Sequence, residues 1–301
     1  MYDIIIVGAG PAGLTAAIYA RRSSKKVLVL EAKSYGGQII NTLDIENYPV
    51  EEHISGFDFA IKLYNQAKHL GAEIVFEKVT NISDCKSYKE VTTDKNSYQA
   101  KTIILATGSE NRKLGISLED ELIGKGISYC ATCDGAFYKK KNVAVVGGGN
   151  TALEDALYLS DIAENVYLIH RRDSFRGEDS TVQHLNEKDN VHFIYNSTVT
   201  KLHAKERLES IEVTNHDGSI QIIDVSGLFV AVGRIPENQN FAKIIQLDDA
   251  GYIIASENCH TNVEGIYVAG DNRVKDLRQL VTATSDGAIA ATEAIKFINN
   301  Q

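Results

Sequence analysis

Cys130 and Cys133, in the run Cys130-Ala131-Thr132-Cys133-Asp134, are the residues of this sequence best placed to do chemistry. Two intervening residues let the sulfurs close a small disulfide ring. Pairs of this kind depress the pKa of one thiol and cycle between dithiol and disulfide. The competing use is zinc, which normally takes four ligands. Cys85 and Cys259 stand alone in distant segments and no second closely spaced Cys/His pair is present, so the redox reading is preferred. Those two cysteines are expected to be inert, buried small side chains. Asp134 follows the second sulfur directly, where a general acid can hand a proton to a thiolate; the alternative is a simple turn residue.

A disulfide needs an electron donor, and the sequence around it offers two dinucleotide sites. Ile4-Ile5-Ile6-Val7 reads as a buried parallel strand. It runs into Gly8-Ala9-Gly10-Pro11-Ala12-Gly13 and then into the helix-compatible Leu14–Ala20. Glycines there let the backbone turn sharply and approach a pyrophosphate seated on the helix N-terminus. The next strand, Val27–Leu30, ends at Glu31, 18 residues after Gly13 (31 − 13), where a carboxylate accepts from ribose hydroxyls. It would repel a 2′-phosphate, so a free-ribose ligand such as FAD or NAD is expected.

Three further segments fit a flavin site. Gly36-Gly37-Gln38 follows the acidic strand end, and Ile103-Ile104-Leu105 ends in Ala106-Thr107-Gly108. Ile266-Tyr267-Val268-Ala269 ends in Gly270-Asp271, whose carboxylate suits ribitol hydroxyls, while Arg278-Gln279 are within reach of an isoalloxazine. Each alone is a strand end; their joint order carries the reading.

The pattern recurs 139 residues on (147 − 8): the strand Val143–Val146 enters Gly147-Gly148-Gly149-Asn150-Thr151-Ala152. The strand after that helix, Val166–Ile169, ends not in an acid but in His170-Arg171-Arg172, with Arg176 close behind. Guanidinium groups match phosphate oxygens in fork geometry, so this site is expected to take NADPH rather than NADH.

The 301 residues suit about two domains. The net charge of −9 disfavours a nucleic-acid groove. Uncharged Ile4–Ala20 is not a signal peptide or a membrane span, because Asp3 precedes it, no basic segment leads it, and Gly8, Gly10, Pro11 and Gly13 interrupt it. The expected location is the cytoplasm. Lys139-Lys140-Lys141 could steer an acidic partner, but a solvated turn is the preferred reading.

Taken together, these segments resemble the low-molecular-weight, bacterial-type thioredoxin reductases over essentially the whole chain. The matching stretches are Gly8–Gly13, Gly36–Gln38, Asn41-Thr42 with Ile45–Pro49, Cys130–Gly135, Gly147–Glu154, His170–Arg176, and Gly270-Asp271 with Arg278-Gln279. The resemblance implies an α/β fold of two Rossmann-like three-layer dinucleotide-binding domains, FAD, NADPH, a homodimer, and thioredoxin as the disulfide substrate. It adds Asn47 and Leu280 to the FAD residues and Gly233 to the NADPH residues. It also implies that Cys133 faces the flavin, Cys130 attacks the thioredoxin disulfide, and Asp134 is the acid. Phe137-Tyr138 resemble a loop that grips thioredoxin, with a plain packing role left open. Val50 departs from the family where glycine is frequent, and Asn272 where an apolar residue is usual; both are expected to lie outside the chemistry.

The chain order places an FAD domain at 1–112 and 241–301 with an NADPH domain, 113–240, inserted between and carrying the disulfide. If nicotinamide and disulfide use one flavin face, a rigid arrangement cannot serve both and also admit thioredoxin. The inserted domain is therefore expected to rotate about connections near Asn111–Gly115 and Asn238–Phe241. Rival readings keep the fold but give it a glutaredoxin-like or peroxide-reducing partner, or make it a non-catalytic flavin redox sensor. Because Met1-Tyr2-Asp3 leads straight into the first strand, the fused redox domain of the peroxide-reducing flavoproteins is not expected.

Overall fold

Short runs of β-branched residues build two sheets, the second parallel and the first parallel except at Val79–Asp84 and Lys89–Thr93, which pair antiparallel. In the computed structural model residues 1–42 and 44–301 are described. The chain divides into two units, Met1–Glu110 with Ile235–Gln301, and Asn111–Arg234.

The first unit opens with β1 (Tyr2–Val7), α1 (Pro11–Arg22), β2 (Val27–Glu31), α2 (Gly56–His69), β3 (Glu73–Phe76), β4 (Val79–Asp84), β5 (Lys89–Thr93) and β6 (Ser97–Leu105). A crossing strand, β7 (Ser109–Asn111), leads to the second unit. That unit contains β8 (Ile127–Ser128), α3 (Ala131–Asp134), β9 (Asn142–Gly147), α4 (Asn150–Ser160), β10 (Asn165–Ile169), α5 (Asp179–Asn186) and β11 (Val191–Ile194). It continues with β12 (Ser197–Ala204), β13 (Leu208–Asn215), β14 (Ile220–Asp224) and β15 (Gly227–Ala231). The return strand β16 (Arg234–Pro236) pairs with β7, and β17 (Ile266–Val268) and α6 (Leu280–Asn299) complete the first unit.

Both sheets repeat one plan. The first runs β3-β2-β1-β6-β5-β4, with β17 also on β6; the second runs β11-β10-β9-β15-β8. In each, the strand before the glycine turn lies centrally and parallel to its neighbours. Being covered on both faces, such strands are apolar throughout: Ile4, Ile5 and Ile6 are fully buried, as are Val143, Ala144 and Val145. In the first unit α1 and α6 cover one face through Leu14, Ala16, Ala290, Ala291 and Ala294. Phe241, Ile245 and Ile253 close the other. In the second, α4 and its neighbours lie on one face and the antiparallel sheet β12-β13-β14 on the other. Both are three-layer dinucleotide-binding architectures.

The exchanges between units, after Glu110 and after Arg234, fall two and six residues before the expected 112 and 240 (112 − 110; 240 − 234). The later one comes early because Asn238 and Phe241 are built into the first unit. Phe241 sits in its core, and the Asn238 amide donates to the carbonyls of Gly251 (2.9 Å) and Asn272 (2.8 Å). Among the described residues, no helix is long and apolar enough to cross a membrane.

Candidate redox site and dinucleotide cradles

The redox pair is a closed disulfide, Cys130–Cys133, with Cα atoms 5.3 Å apart. Cys130 caps the single-turn helix α3, and Cys133 lies within it. Beneath, α3 packs on α4: Ala131 shares a fully buried cluster with Ala152, Leu153 and Ala156. Any side chain at Gly135 would press on Tyr158 and Leu159 of α4. The Ser128 hydroxyl, in β8, donates to Asp134 Oδ2 (2.6 Å) and accepts from the Cys130 amide (3.1 Å). Burial raises the Asp134 carboxyl pKa above the ordinary value, against the opposing pull of Ser128. A proton is therefore held beside the sulfurs to higher pH than on a free aspartate, as a general acid requires. Ser128 went unrecognised in the sequence, where nothing marks a lone serine as the partner of a carboxylate six residues on.

Of the aromatic pair, Tyr138 is a packing residue, its ring 5.3 Å from that of Phe229, whereas Phe137 is exposed. Lys139, Lys140 and Lys141 are exposed. Cys259 is buried, and its thiol is pushed up to about 12, first by burial and then by the Asp286 charge. Cys85 is only partly buried. Among the described residues, the group with metal-like spacing is Asp44, Glu46 and His53, a partly exposed set that includes neither redox cysteine.

The first cradle gathers residues far apart in sequence. Gly8 turns at φ +108°, a conformation that disfavours side chains, and lies so close to the Ala106 carbonyl that a Cβ would collide with it. A Cβ at Gly13 would run into the Gly8 carbonyl. The α1 N-terminus, with Pro11 in its first turn and Gly10 as cap, therefore presents its amides unobstructed. Glu31 reaches back to this turn: Oε2 accepts from the Ala9 amide (2.7 Å) and Oε1 from the Lys33 amide (2.8 Å). Each carboxylate oxygen keeps a lone pair for a ribose hydroxyl. The Gly36 amide donates to the Ala9 carbonyl (2.8 Å), and Gly37 approaches the Gly10 Cα, which brings Gln38 alongside. Gly270 packs against Ala12, so Asp271 follows at the same end of the sheet.

Asn47 and Gln279, 232 positions apart, meet side chain to side chain at 3.3 Å. Leu280 packs on the small cluster Ile45, Ile54 and Phe59. The Arg278 guanidinium lies 4.3 Å from the Tyr252 ring centre, and its buried Nε has no protein partner. Thr107 is bonded to the buried pair Asn238 and Asn272: its hydroxyl donates to Asn238 Oδ1 (3.2 Å) and accepts from Asn272 Nδ2 (3.0 Å). Asn272 also donates to the Leu105 carbonyl (3.2 Å). This departure from the family is thus bonded to Thr107, one of the expected FAD residues. Gly108 is open, with nothing within 4 Å of a Cβ position. Open amides and an orphaned buried guanidinium nitrogen fit FAD.

The second cradle has the same plan and different polarity. Gly147 crowds the Ala231 carbonyl and Ala152, while Gly149 and Gly233 have open surroundings. Asn150 and Thr151 begin α4 and are exposed. The Asn150 side chain accepts from the Glu178 amide (2.9 Å), and the Gly148 carbonyl accepts from the Arg176 amide (2.7 Å). That bond folds the arginine loop over the turn. His170 differs from its neighbours: it is buried directly under Gly148 and stacks on Phe175 at 5.4 Å. Burial first, then Arg176, Arg171 and Arg172, lower its pKa, so it stays neutral more readily than a free histidine. The three arginines are exposed, and no carboxylate among the described residues neutralises them. Three unpaired guanidinium groups fit a 2′-phosphate.

Two dinucleotide-binding units, one of them carrying a Cys-x-x-Cys disulfide over its nucleotide helix, define a pyridine nucleotide-disulphide oxidoreductase. The family model of that description matches residues 2–287. The chain is 43% identical over 300 residues to the thioredoxin reductase of Listeria monocytogenes, covering 99% of this chain and 94% of that one. It is 39% identical over 308 residues to that of Bacillus subtilis, covering 99% and 95%. The crystal structure of thioredoxin reductase from Streptococcus pyogenes superposes with a TM-score of 0.95 at 39% identity, covering 100% and 99% of the chains. The chain belongs to the thioredoxin reductase family within that class, a family of enzymes that use FAD and NADPH.

Proposed function

We propose that this chain reduces oxidised thioredoxin with electrons from NADPH, and that its first unit holds FAD and its second NADPH. The observation that carries the reading is the disulfide seated on the helix of the arginine-rich cradle, followed directly by a half-buried Asp134 whose carboxyl pKa burial raises. Bound FAD supplies an electron relay between nicotinamide and disulfide. Gly8, Gly10, Pro11, Ala12, Gly13, Gly36, Gly37 and Gln38 bind its pyrophosphate end, Glu31 its ribose, and Asp271 its ribitol. Asn47, Ala106, Thr107, Gly108, Gly270, Arg278, Gln279 and Leu280 enclose the remainder. In the second unit Gly147, Gly149, Asn150, Thr151, Ala152 and Gly233 form the nucleotide turn. Arg171, Arg172 and Arg176 select the 2′-phosphate. Cys133 receives the electrons, Cys130 attacks the thioredoxin disulfide, and Asp134 protonates the departing thiolate.

Serving nicotinamide, disulfide and thioredoxin in turn requires the inserted unit to rotate. The segments that connect it are β7 and β16; of Asn238–Phe241, expected as the second pivot, Asn238 and Phe241 are buried in the first unit while Gln239 and Asn240 are exposed. The family resemblance favours a cytoplasmic homodimer, which sedimentation of the purified protein tests.

The deciding experiment is NADPH oxidation with purified thioredoxin against glutaredoxin-like acceptors, run with wild type and Cys133→Ser. The variant is expected to lose thioredoxin reduction while NADPH still bleaches its flavin. A variant whose flavin stays yellow under anaerobic NADPH contradicts the electron path. Preference for another acceptor overturns the substrate.

A further inference from the structure

The loop that carries Asp271 and Arg278 is held from behind by one carboxylate. Asp286 is 3% exposed and lies in the second turn of α6, the helix that buries Ala290, Ala291 and Ala294 in the first core. Its Oδ2 accepts from the Gly270 amide at 2.9 Å, just past β17, where the chain turns at φ +90°. The Arg273 guanidinium grips both oxygens, Nε donating to Oδ2 at 2.9 Å and Nη2 to Oδ1 at 3.0 Å. Lys275 Nζ donates to Oδ2, also at 2.9 Å. The Arg273 carbonyl in turn accepts from Arg278 Nη2 at 3.3 Å. Gly270, Arg273 and Lys275 directly, and Arg278 through Arg273, are therefore tied to one group inside the helix. An aspartate in an apolar helix carries no local mark of such a role.

We propose that Asp286 is a positioning residue for the flavin: its carboxylate, anchored in α6, fixes the loop 270–278 so that Asp271 and Arg278 stand ready for FAD. This rests on the reading that the first unit holds FAD. Charge, and not shape alone, does the fixing. A carboxylate accepts a forked guanidinium, an ammonium and an amide together. A carboxamide of the same size has one acceptor oxygen and turns its own donors toward the two cations.

The surroundings leave the loop few substitutes for that charge. Arg273 is 3% exposed and the Lys275 side chain 6%, so water does little to compensate either cation. Glu257 approaches Arg273 Nη1 at 3.6 Å but is itself exposed, and solvent screens it. Burial opposes ionisation of Asp286, yet Arg273, Lys275 and the Gly270 amide outweigh it and hold the carboxyl below its ordinary value. The next residue, Gly287, lies against the Ala12 carbonyl of the first glycine turn. Adjacent positions of α6 thus register both the loop and the turn.

The test is Asp286→Asn, purified as the flavoprotein. FAD release on dilution and the reduction potential of the bound flavin, read against a reference dye, are compared with wild type. Ile298→Ala, a core deletion at the far end of α6, supplies a loss of stability that leaves the loop untouched. Release from Asp286→Asn is expected to quicken on the order of 10–100-fold, the range of one lost charge-assisted contact, and to exceed that of Ile298→Ala. The potential should fall, because a displaced Arg278 guanidinium no longer favours the electron-rich reduced flavin. Release no faster than the control's, or an unaltered potential, marks a merely structural residue and overturns the proposal. Wild type that carries no flavin overturns the FAD reading and the role together, whereas wild-type flavin retention in the variant overturns the role alone. Should Asp286→Asn not fold, Lys275→Met decides, since it keeps the helix and the Arg273 fork and removes one tie of the loop. Faster release with a lowered potential then supports the role, and a wild-type value for either refutes it.

Discussion

Val50 adopts φ +82° and is fully exposed, in a turn after Pro49 that the Glu51 amide closes on the Tyr48 carbonyl at 3.2 Å. A β-branched residue in that conformation is strained by about 1–3 kcal/mol, and glycine is the residue that suits it. Val50→Gly is therefore expected to stabilise the protein by about 1 kcal/mol, after allowing for the greater freedom of glycine in the unfolded chain. A thermal midpoint that falls instead of rising contradicts this. Cys259, buried and shifted to about 12, should resist alkylation in the native protein at pH 8 and react once denatured. Labelling at the native rate of an exposed thiol counts against that burial. At the second cradle, Arg171→Ala with Arg172→Ala should weaken NADPH on the order of 10²–10⁴-fold and leave NADH nearly unchanged, since each charge-assisted pair contributes about 1.5–3 kcal/mol. Equilibrium titration of both nucleotides measures this, and equal losses for the two remove the arginines from the phosphate site.

At the scale of elements, the crossing of α1 and α6 is set by one missing side chain. Gly287 sits in the middle of α6, and a Cβ there would strike the Ala12 carbonyl in the first turn of α1. Gly287→Ala is expected to destabilise by roughly 1–3 kcal/mol, as overpacking does. It should also speed FAD loss, because Ala12 belongs to the glycine turn. Thermal melting and flavin release on dilution check both, and an unaffected flavin off-rate contradicts the coupling. This element also shows what a sequence can and cannot tell. Strand, glycine turn and helix are encoded in neighbouring residues, so Gly8–Gly13 with Glu31, and Gly147–Ala152 with Arg171, could be read locally. The contacts that lock the cradles join residues far apart: Asn272 to Thr107, Asn47 to Gln279, Gly287 to Ala12. An asparagine or a glycine carries no mark of a partner 165 positions away. The place of His170 under the second turn is not local either, since only the folded loop puts Gly148 over its ring.

For the molecule as a whole, the proposed rotation would turn on the two connections β7 and β16. A covalent crosslink joining the two units is expected to reduce steady-state thioredoxin turnover to a small residue while leaving single-turnover chemistry in the trapped state intact. Undiminished turnover in the crosslinked enzyme sinks the rotation. The order of the units along the chain has a further result. The second unit is one unbroken stretch, Asn111–Arg234, whereas the first is split around it. On the ribosome the nucleotide unit emerges entire and can close on itself while its host still lacks β17 and α6. The nascent polypeptide can thus shape its disulfide-bearing guest first, while the proposed flavin cradle is complete only once α6 has emerged.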